Sequence, residues 1–179
     1  MKKLFLLTFI TFGLIACKTD KTKTTIDTVN QAIKQDSIKV TKVAEFTGQQ
    51  VTGVTVSDSG RVFVNFPRWR PTVKHSVTEV IGQQSIAYPN QKWNSWTTDA
   101  KITDSVFVAV QSVVASKNQL FVVDTRNPFF KGVLSSPKLF VFNLDNNSLQ
   151  KVYTLTDAVF FKDSYINDVR IDRENNMAY

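Results

Sequence analysis

The sequence predicts an all-β fold over residues 43–179. From Val43 onward, valine and phenylalanine become frequent, apolar and polar residues alternate, and Gly, Asn, Asp and Pro recur at short intervals. These are the sequence signals of strands and of the turns that separate them. No segment carries an apolar stripe at helical spacing over a useful length. A helical or mixed fold is therefore not expected.

An internal repeat predicts how the strands are arranged. The segments 54–64, 113–123 and 169–179 each contain a strand, a short polar turn and a second strand, and they start 59 and then 56 residues apart. Fixed periods of this length are typical of repeat arrays. Between the second and third copies lies another hairpin, formed by 138–143 and 149–155 around an Asp-Asn-Asn turn. Two hairpins per repeat give four strands.

Four-stranded units repeated radially form a β-propeller, in which each unit is one blade. The alternative is a β-sandwich with accidental self-similarity, which the long and nearly constant period disfavours. Residues 43–179 hold about two and a half blades, whereas six blades of this length need about 340 residues. We therefore expect the N-terminal part of a truncated propeller whose parent has six blades.

The N-terminus has the layout of a secretory signal over residues 1–16. Lys2 and Lys3 precede a mainly apolar run from Leu4 to Ile15, which is too short for the roughly 20 residues of a membrane-spanning helix. The end of this run, 14–17, resembles the lipobox of bacterial lipoproteins. It predicts cleavage before Cys17 and lipid attachment to that residue. An ordinary secretory signal with a cysteine near its cut site is the alternative.

Cys17 is the only cysteine, so no disulfide can form within the chain. Lipidation also protects a lone thiol in an oxidising compartment. Lys18 stands where an aspartate would signal retention at the inner membrane. We therefore expect a lipid anchor in the cell envelope, at the outer membrane or otherwise outside the cytoplasm.

Residues 17–42 read as a flexible linker without aromatic residues. The chain carries a formal charge of +7, of which residues 1–16 hold +2, residues 18–42 hold +3 and residues 43–179 only +2. A basic linker beside a lipid anchor suits anionic headgroups. The weakly charged folded part argues against a nucleic-acid partner.

Residues 52–69, which end in Pro67-Arg68-Trp69, resemble the N-terminal signature of the Yellow and major royal jelly protein family. The other matching motifs follow in the family's order: 88–90, 93–94, 110–113 with 120–126, 136–144 and 164–172. The resemblance implies a propeller that binds a small molecule, such as an aromatic amine, at its channel mouth. The family's C-terminal half, with much of that cavity, is absent.

Arg68 and Trp69 are candidate ligand-binding residues. The aromatic residues Tyr88, Trp93 and Trp96 follow within thirty positions. Aromatic faces and a guanidinium suit a flat amine or phenol. Packing between blades would use the same side chains, and is the favoured interpretation of each aromatic residue taken singly.

Asn167 and Asp168 are the second candidate pair. They precede a predicted inner strand, and in the similar propellers of senescence marker protein and gluconolactonase such residues help to hold a divalent cation. Oxygen ligands suit calcium. Ordinary turn chemistry is the favoured alternative. His75 is the only histidine and lies in a predicted loop, so neither a catalytic triad nor a common zinc site is expected.

Two function classes fit these observations. The first is a lipid-anchored propeller that binds a small molecule. The second is a calcium-dependent hydrolase of the gluconolactonase kind or a dopachrome-type isomerase, which the similar families imply. The binding protein is preferred because no triad, zinc set or phosphate loop is visible, and fold alone does not decide the matter.

Overall fold

The computed structural model describes residues 39–179, and Lys42–Tyr179 form one compact unit. The predicted signal peptide, Cys17 and the linker up to residue 38 lie outside the described residues. Within the described part, ten strands in antiparallel sheets and one three-residue 3-10 turn account for the regular structure. The all-β prediction is confirmed.

The strands form two complete sheets and one short hairpin. The first sheet contains, in this order, β1 (Gly53–Val56), β2 (Val62–Asn65), β3 (Val77–Ile81) and β4 (Gln84–Ala87). The second contains β5 (Val110–Ser116), β6 (Gln119–Asp124), β7 (Lys138–Asn143) and β8 (Leu149–Thr154). The hairpin consists of β9 (Ile171–Asp172) and β10 (Met177–Ala178). Across the described residues the sheets do not close into a ring.

Strand order within each sheet follows the chain, and two hairpins per repeat match the prediction. The turns that open the three repeats differ in length, since they span 57–61, 117–118 and 173–176. The last paired residues before these turns, Val56, Ser116 and Asp172, are therefore 60 and then 56 residues apart. The first interval is one residue longer than the sequence alignment predicts. The alignment missed this difference because the turn of the first repeat is longer than the turn of the second.

The main core lies between the first and second sheets. Phe63 from β2 and Phe140 and Phe142 from β7 are fully buried there. Trp93, from the connection before β5, meets the rings of Phe140 and Phe142 edge-on at 5.3 and 5.0 Å. Each such buried side chain contributes about 1.5–3 kcal/mol by leaving water. The packing of these aromatic rings holds the first and second sheets face to face.

Strands β1 and β5 lie close together at the inner end of this core. The backbone N–H of Ala115 donates to Oγ1 of Thr55 at 2.8 Å. A Cβ atom on Gly53 would lie 2.1 Å from Oδ1 of Asn65 and 3.6 Å from Cγ2 of Val113. Only glycine at position 53 leaves room for the side chain of Asn65, whereas the distance to Val113 of β5 is an ordinary van der Waals contact.

Asp124, at the end of β6, anchors the connection that leads into β5. Its carboxylate accepts the backbone N–H groups of Val108, Ala109 and Arg126 at 2.8, 2.9 and 3.0 Å. Nε of Arg126 lies 3.1 Å from Oδ2, an ion pair without hydrogen-bond alignment, and neither side chain is exposed to solvent. One buried carboxylate thus ties together the connection that leads into β5 and the connection that follows β6.

We predict that Asp124→Asn destabilises the protein by about 3–5 kcal/mol, because it leaves the buried guanidinium of Arg126 without its counter-ion. Asp104→Asn is the matched control. Asp104 pairs with Lys138 at 3.1 Å but its side chain is 66% exposed, so the loss should stay below about 1 kcal/mol. Urea denaturation followed by tryptophan fluorescence measures both. Equal losses would contradict the role given to Asp124.

Candidate functional site

The longer connections gather at one edge of the sheets. They follow β2, β4, β6 and β8 and span residues 66–76, 88–109, 125–137 and 155–170, whereas the opposite edge carries the tight turns. This edge, called the loop edge below, brings together side chains that are far apart in sequence. It contains all four residues predicted to bind a ligand.

A chain of hydrogen bonds crosses the loop edge. Nε1 of Trp69 donates to the hydroxyl of Tyr165 at 2.7 Å, and that hydroxyl donates to Oε1 of Gln111 at 2.9 Å. Nε2 of Gln111 then donates to Oδ1 of Asn167 at 3.1 Å. The structure therefore brings together two predicted residues, Trp69 and Asn167, through two residues that the sequence did not single out as site residues.

A β-bulge aims Gln111 into this chain. Val110 pairs with Asp124 and Ser112 pairs with Val123, so Gln111 has no partner on β6. Bulges of this kind redirect a side chain and are frequent next to functional sites. No local sequence signal marks the bulge.

The repeat does carry a signal for these contacts. Gln111 contacts Asn167 and Ser112 contacts Asp168, and both pairs are 56 residues apart, which is the interval between the second and third repeats. Equivalent positions of neighbouring repeats thus meet in space. Comparing the aligned repeats column by column would have pointed to Gln111 and Ser112.

Asp168 remains a carboxylate at neutral pH. Oδ1 accepts the hydroxyl of Ser112 at 2.6 Å and the backbone N–H of Val169 at 2.8 Å, while Oδ2 lies 2.5 Å from the guanidinium of Arg170. Burial alone would raise the pKa of Asp168, but these hydrogen bonds and the charge of Arg170 outweigh it and lower the pKa. The loop edge therefore carries an ionised carboxylate, paired with Arg170, beside Asn167.

Three aromatic rings form a cluster beside the hydrogen-bond chain. We call Trp69, Phe130 and Tyr165 the aromatic cluster. The ring of Phe130 lies 5.8 Å from that of Trp69 and 4.8 Å from that of Tyr165, tilted by about 30° from each. Phe130 remains 60% exposed. Its ring is therefore the part of the cluster that faces solvent most.

The backbone that carries Phe130 is strained. Phe129 and Phe130 have φ values of +60° and +58°, a region that costs roughly 1–2 kcal/mol for each residue other than glycine. Hydrogen bonds hold the segment in place, since Asn127 donates to the carbonyl of Ser164 and accepts the N–H of Gly132, both at 2.9 Å. Residues in this state persist where their surroundings over-determine them, and they concentrate at functional sites.

Arg68 lies on the loop edge but outside the hydrogen-bond chain. It is buried, and its guanidinium donates to the carbonyls of Val108 at 2.9 Å and Val73 at 3.2 Å while lying 5.3 Å from the ring centre of Trp96. Burial lowers the pKa of Arg68, and the charge of Asp124 partly opposes that effect. The structure does not join Arg68 to the hydrogen-bond chain, and its binding role stays a prediction.

The other residues considered in the sequence analysis are Tyr88, Trp93, Trp96 and His75. Tyr88 and Trp93 are buried in the core between the two sheets, and Trp96 packs with Val108 and Ala109 in a smaller cluster, so packing is the role that the structure assigns to all three. His75 is half-buried, with Nε2 3.0 Å from Oε1 of Gln91.

The residues near Asn167 do not form a ready calcium site. Asp168 supplies the carboxylate there, and its oxygens already have the partners described above. Over residues 39–179, no three His, Cys, Asp or Glu side chains are grouped to hold a metal. A calcium ion would have to displace Ser112 or Arg170, so no chemical step is assigned to one.

A separate groove of about 770 Å³ lies between the second sheet and the β9–β10 hairpin. None of the residues of the aromatic cluster lines it. Its lining residues are Gln119, Phe121, Leu139, Val141, Gln150, Lys151, Tyr153, Leu155, Ile171, Asn176, Met177 and Ala178. The groove and the loop edge are thus distinct features.

Comparison with known proteins does not assign this chain to a family. No protein-family model matches the sequence, and no curated protein matches it. Within the part of the chain that the structure describes, no helix is long and apolar enough to cross a membrane. Over residues 39–179 the chain is an all-β protein of antiparallel sheets, with polar and aromatic side chains grouped on its loop edge.

We predict that Tyr165→Phe lowers the free energy of unfolding by about 1–3 kcal/mol, because Nε1 of Trp69 and Oε1 of Gln111 both lose their partner. Tyr153→Phe is the control, since the hydroxyl of Tyr153 has no such contact and the residue is 46% exposed. Urea denaturation measures both variants. A Tyr165→Phe protein as stable as the control variant would contradict the proposed importance of the chain.

The same tyrosine predicts a pH dependence. Burial raises the pKa of Tyr165 above its ordinary value of 10.0, against the opposing hydrogen bond from Trp69. The neutral phenol therefore stabilises the fold below about pH 10, and this contribution is lost as the pH rises through the folded-state pKa. Denaturation between pH 8 and pH 11 should show a steeper loss in the wild type than in Tyr165→Phe. Parallel curves would contradict the assignment.

Proposed function

We propose that this chain is an exported, lipid-anchored protein of the β-propeller type that binds a small molecule at its loop edge. The observation that carries the proposal is the hydrogen-bond chain from Trp69 through Tyr165 and Gln111 to Asn167. It links two connections and strand β5, which are far apart in sequence. Small-molecule sites combine a few convergent polar groups with aromatic side chains.

Contacts between repeats support the propeller. Gln111 meets Asn167 at the interval of the repeat, as expected when equivalent inner strands surround a common axis. At the opposite edge, Nη1 of Arg173 donates to Oδ1 of Asp58 at 3.2 Å, so the turns of the first and third repeats also meet. The contact at the repeat interval, together with the motifs at 52–69 and 164–172, supports membership of the Yellow and royal jelly family, whereas the six-bladed parent is proposed from the length of the repeat.

A flat organic cation is the ligand that this chemistry favours. Phe130 exposes a ring held by Trp69 and Tyr165, and ring faces attract cations. The ionised carboxylate of Asp168 lies on the same edge, and an amine would take the place of the Arg170 guanidinium at Oδ2. Aromatic and anionic groups together suit an aromatic amine, in agreement with the family resemblance.

We predict that tyramine binds the protein and that 4-ethylphenol, which has the same ring without the amine, binds at least about tenfold more weakly, a difference of about 1.4 kcal/mol. Phe130→Ala and Asp168→Asn should each weaken tyramine binding by about tenfold. Phe161→Ala is the matched control, because Phe161 is 80% exposed and lies outside the cluster. Calorimetric titration measures the affinities.

Equal affinity for the two compounds would contradict amine recognition. The protein could instead turn over a lactone or dopachrome and lose this activity in Asn167→Ala or Asp168→Ala. That result would contradict the binding function and support the enzyme. Calcium added to the same titrations tests the metal, since the enzyme of the gluconolactonase kind requires it.

The membrane anchor is proposed from the sequence. We expect a diacylglyceryl group on Cys17 to hold the mature chain at the outer membrane or otherwise outside the cytoplasm, with the lysines of 18–42 near anionic headgroups.

Cys17→Ser should abolish incorporation of radiolabelled palmitate and move the protein from the membrane fraction to the soluble fraction, because a hydroxyl cannot receive the thioether-linked lipid. Thr19→Ser is the control and should remain labelled. A Cys17→Ser protein that is still cleaved and exported normally, beside a wild type that takes up no label, would indicate an ordinary secretory signal.

A further inference from the structure

The loop edge of the first sheet has an uneven distribution of charge. Residues 46–52, 66–76 and 88–98, which adjoin the ends of its strands there, contain four Lys or Arg residues and no Asp or Glu. Their formal charge of +4 leaves −2 for the rest of residues 43–179. One of the four, Arg68, is buried. The other three give this part of the edge a positive surface.

We call Arg70, Lys74 and Lys92 the basic patch. All three are exposed, and none of them forms an ion pair with a carboxylate in the described part of the chain. Nε2 of His75 lies 3.0 Å from Oε1 of Gln91, so this contact joins the connection after β2 to the connection after β4. Lys74 and Lys92, which are the sequence neighbours of these two residues, therefore lie on the same part of the surface.

The compact unit begins beside the basic patch. The ring of Phe46 lies 5.3 Å from that of Phe66, the first residue after β2. Oε1 of Gln49 accepts the backbone N–H of Lys74 at 2.6 Å. Lys42, the first residue of the unit, comes four residues before Phe46 and so lies within about 14 Å of it. The predicted linker is therefore attached close to the edge that carries the patch.

We propose that the basic patch docks on an anionic membrane surface, so that the loop edge faces the membrane that holds the lipid anchor. Anionic headgroups attract Lys and Arg side chains that lie within about a Debye length, roughly 10 Å. A nucleic acid would attract the same cations, but an exported chain with a lipid on its linker is held beside headgroups. The anchor in this inference rests on the proposed function.

A tether makes a weak electrostatic contact effective. The predicted linker, residues 18–42, has a root-mean-square span of about 25–30 Å if it behaves as a flexible coil. It therefore keeps the patch at a high effective concentration near the membrane surface. Because the patch occupies one edge of the first sheet, the attraction selects one orientation of the protein on the membrane.

The test is cosedimentation with vesicles that contain about 30% phosphatidylglycerol in phosphatidylcholine. The protein is the predicted mature chain, residues 17–179, with Cys17→Ser, so that no lipid contributes to binding. We expect binding that vesicles of phosphatidylcholine alone do not show. The affinity should fall at least about fivefold between about 50 and 300 mM NaCl, because salt screens the surface potential.

Arg70→Gln combined with Lys74→Gln should weaken binding to the anionic vesicles about tenfold or more, because two cations are lost from the docking surface. Lys117→Gln combined with Lys151→Gln is the matched control, since it removes the same charge from exposed residues of the second sheet and its turn. It should bind within about twofold of the starting protein. Arg70→Lys combined with Lys74→Arg keeps the charge and should also bind normally. Urea denaturation checks that all variants remain folded.

Equal affinities of the two charge-removing variants would overturn the proposal, since net charge or the lysines of 18–42 would then carry the attraction. A DNA duplex that binds more tightly than the vesicles at equal phosphate concentration would also overturn it, by making a nucleic acid the partner. A wild type that takes up no palmitate would contradict the anchor alone. The vesicle measurement, made without lipid on the protein, would still decide the docking surface.

Discussion

The buried carboxylate of Asp124 is the interaction on which the rest of the loop edge depends. A charge without solvent is stable only when it is paired and hydrogen-bonded, and Asp124 satisfies this with three backbone N–H groups and the guanidinium of Arg126. These partners come from the connection before β5 and the connection after β6. The position at which β5 begins and the direction in which the chain leaves β6 are consequently set by the same group.

What leaves β6 is the segment that carries Phe130. Its left-handed residues are costly, so they require support from the surroundings. Asn127 supplies it by binding the carbonyl of Ser164, one residue before Tyr165. The aromatic cluster and the hydrogen-bond chain are therefore coupled through a shared backbone contact. Hydrogen bonds between polar groups, more than the walls of a deep cavity, hold the site in place. Such a site suits a flat ligand that stacks on an aromatic side chain.

Other contacts, away from the loop edge, have a structural role. At the turn edge, Arg61 binds both oxygens of Glu79 at 2.7 and 2.8 Å and the carbonyl of Leu144 at 2.5 Å, which joins the two complete sheets. The groove beside β10 lies on the far side of the second sheet.

The sequence by itself determined the all-β class, the hairpins and the repeat, because strand alternation and turn residues act over a few positions. It also singled out Trp69 and Asn167, which lie on the loop edge, as candidates for ligand binding. It did not reveal Phe130, whose exposure follows from strained backbone, or the chain through Gln111, whose partner Tyr165 is 54 residues away. Only the tertiary structure decided these, since a bulge and contacts between distant connections have no local signal. The same reason applies to Arg68. Its neighbours in the sequence made it a candidate for ligand binding, but in the folded protein its guanidinium donates to the backbone carbonyl of Val108.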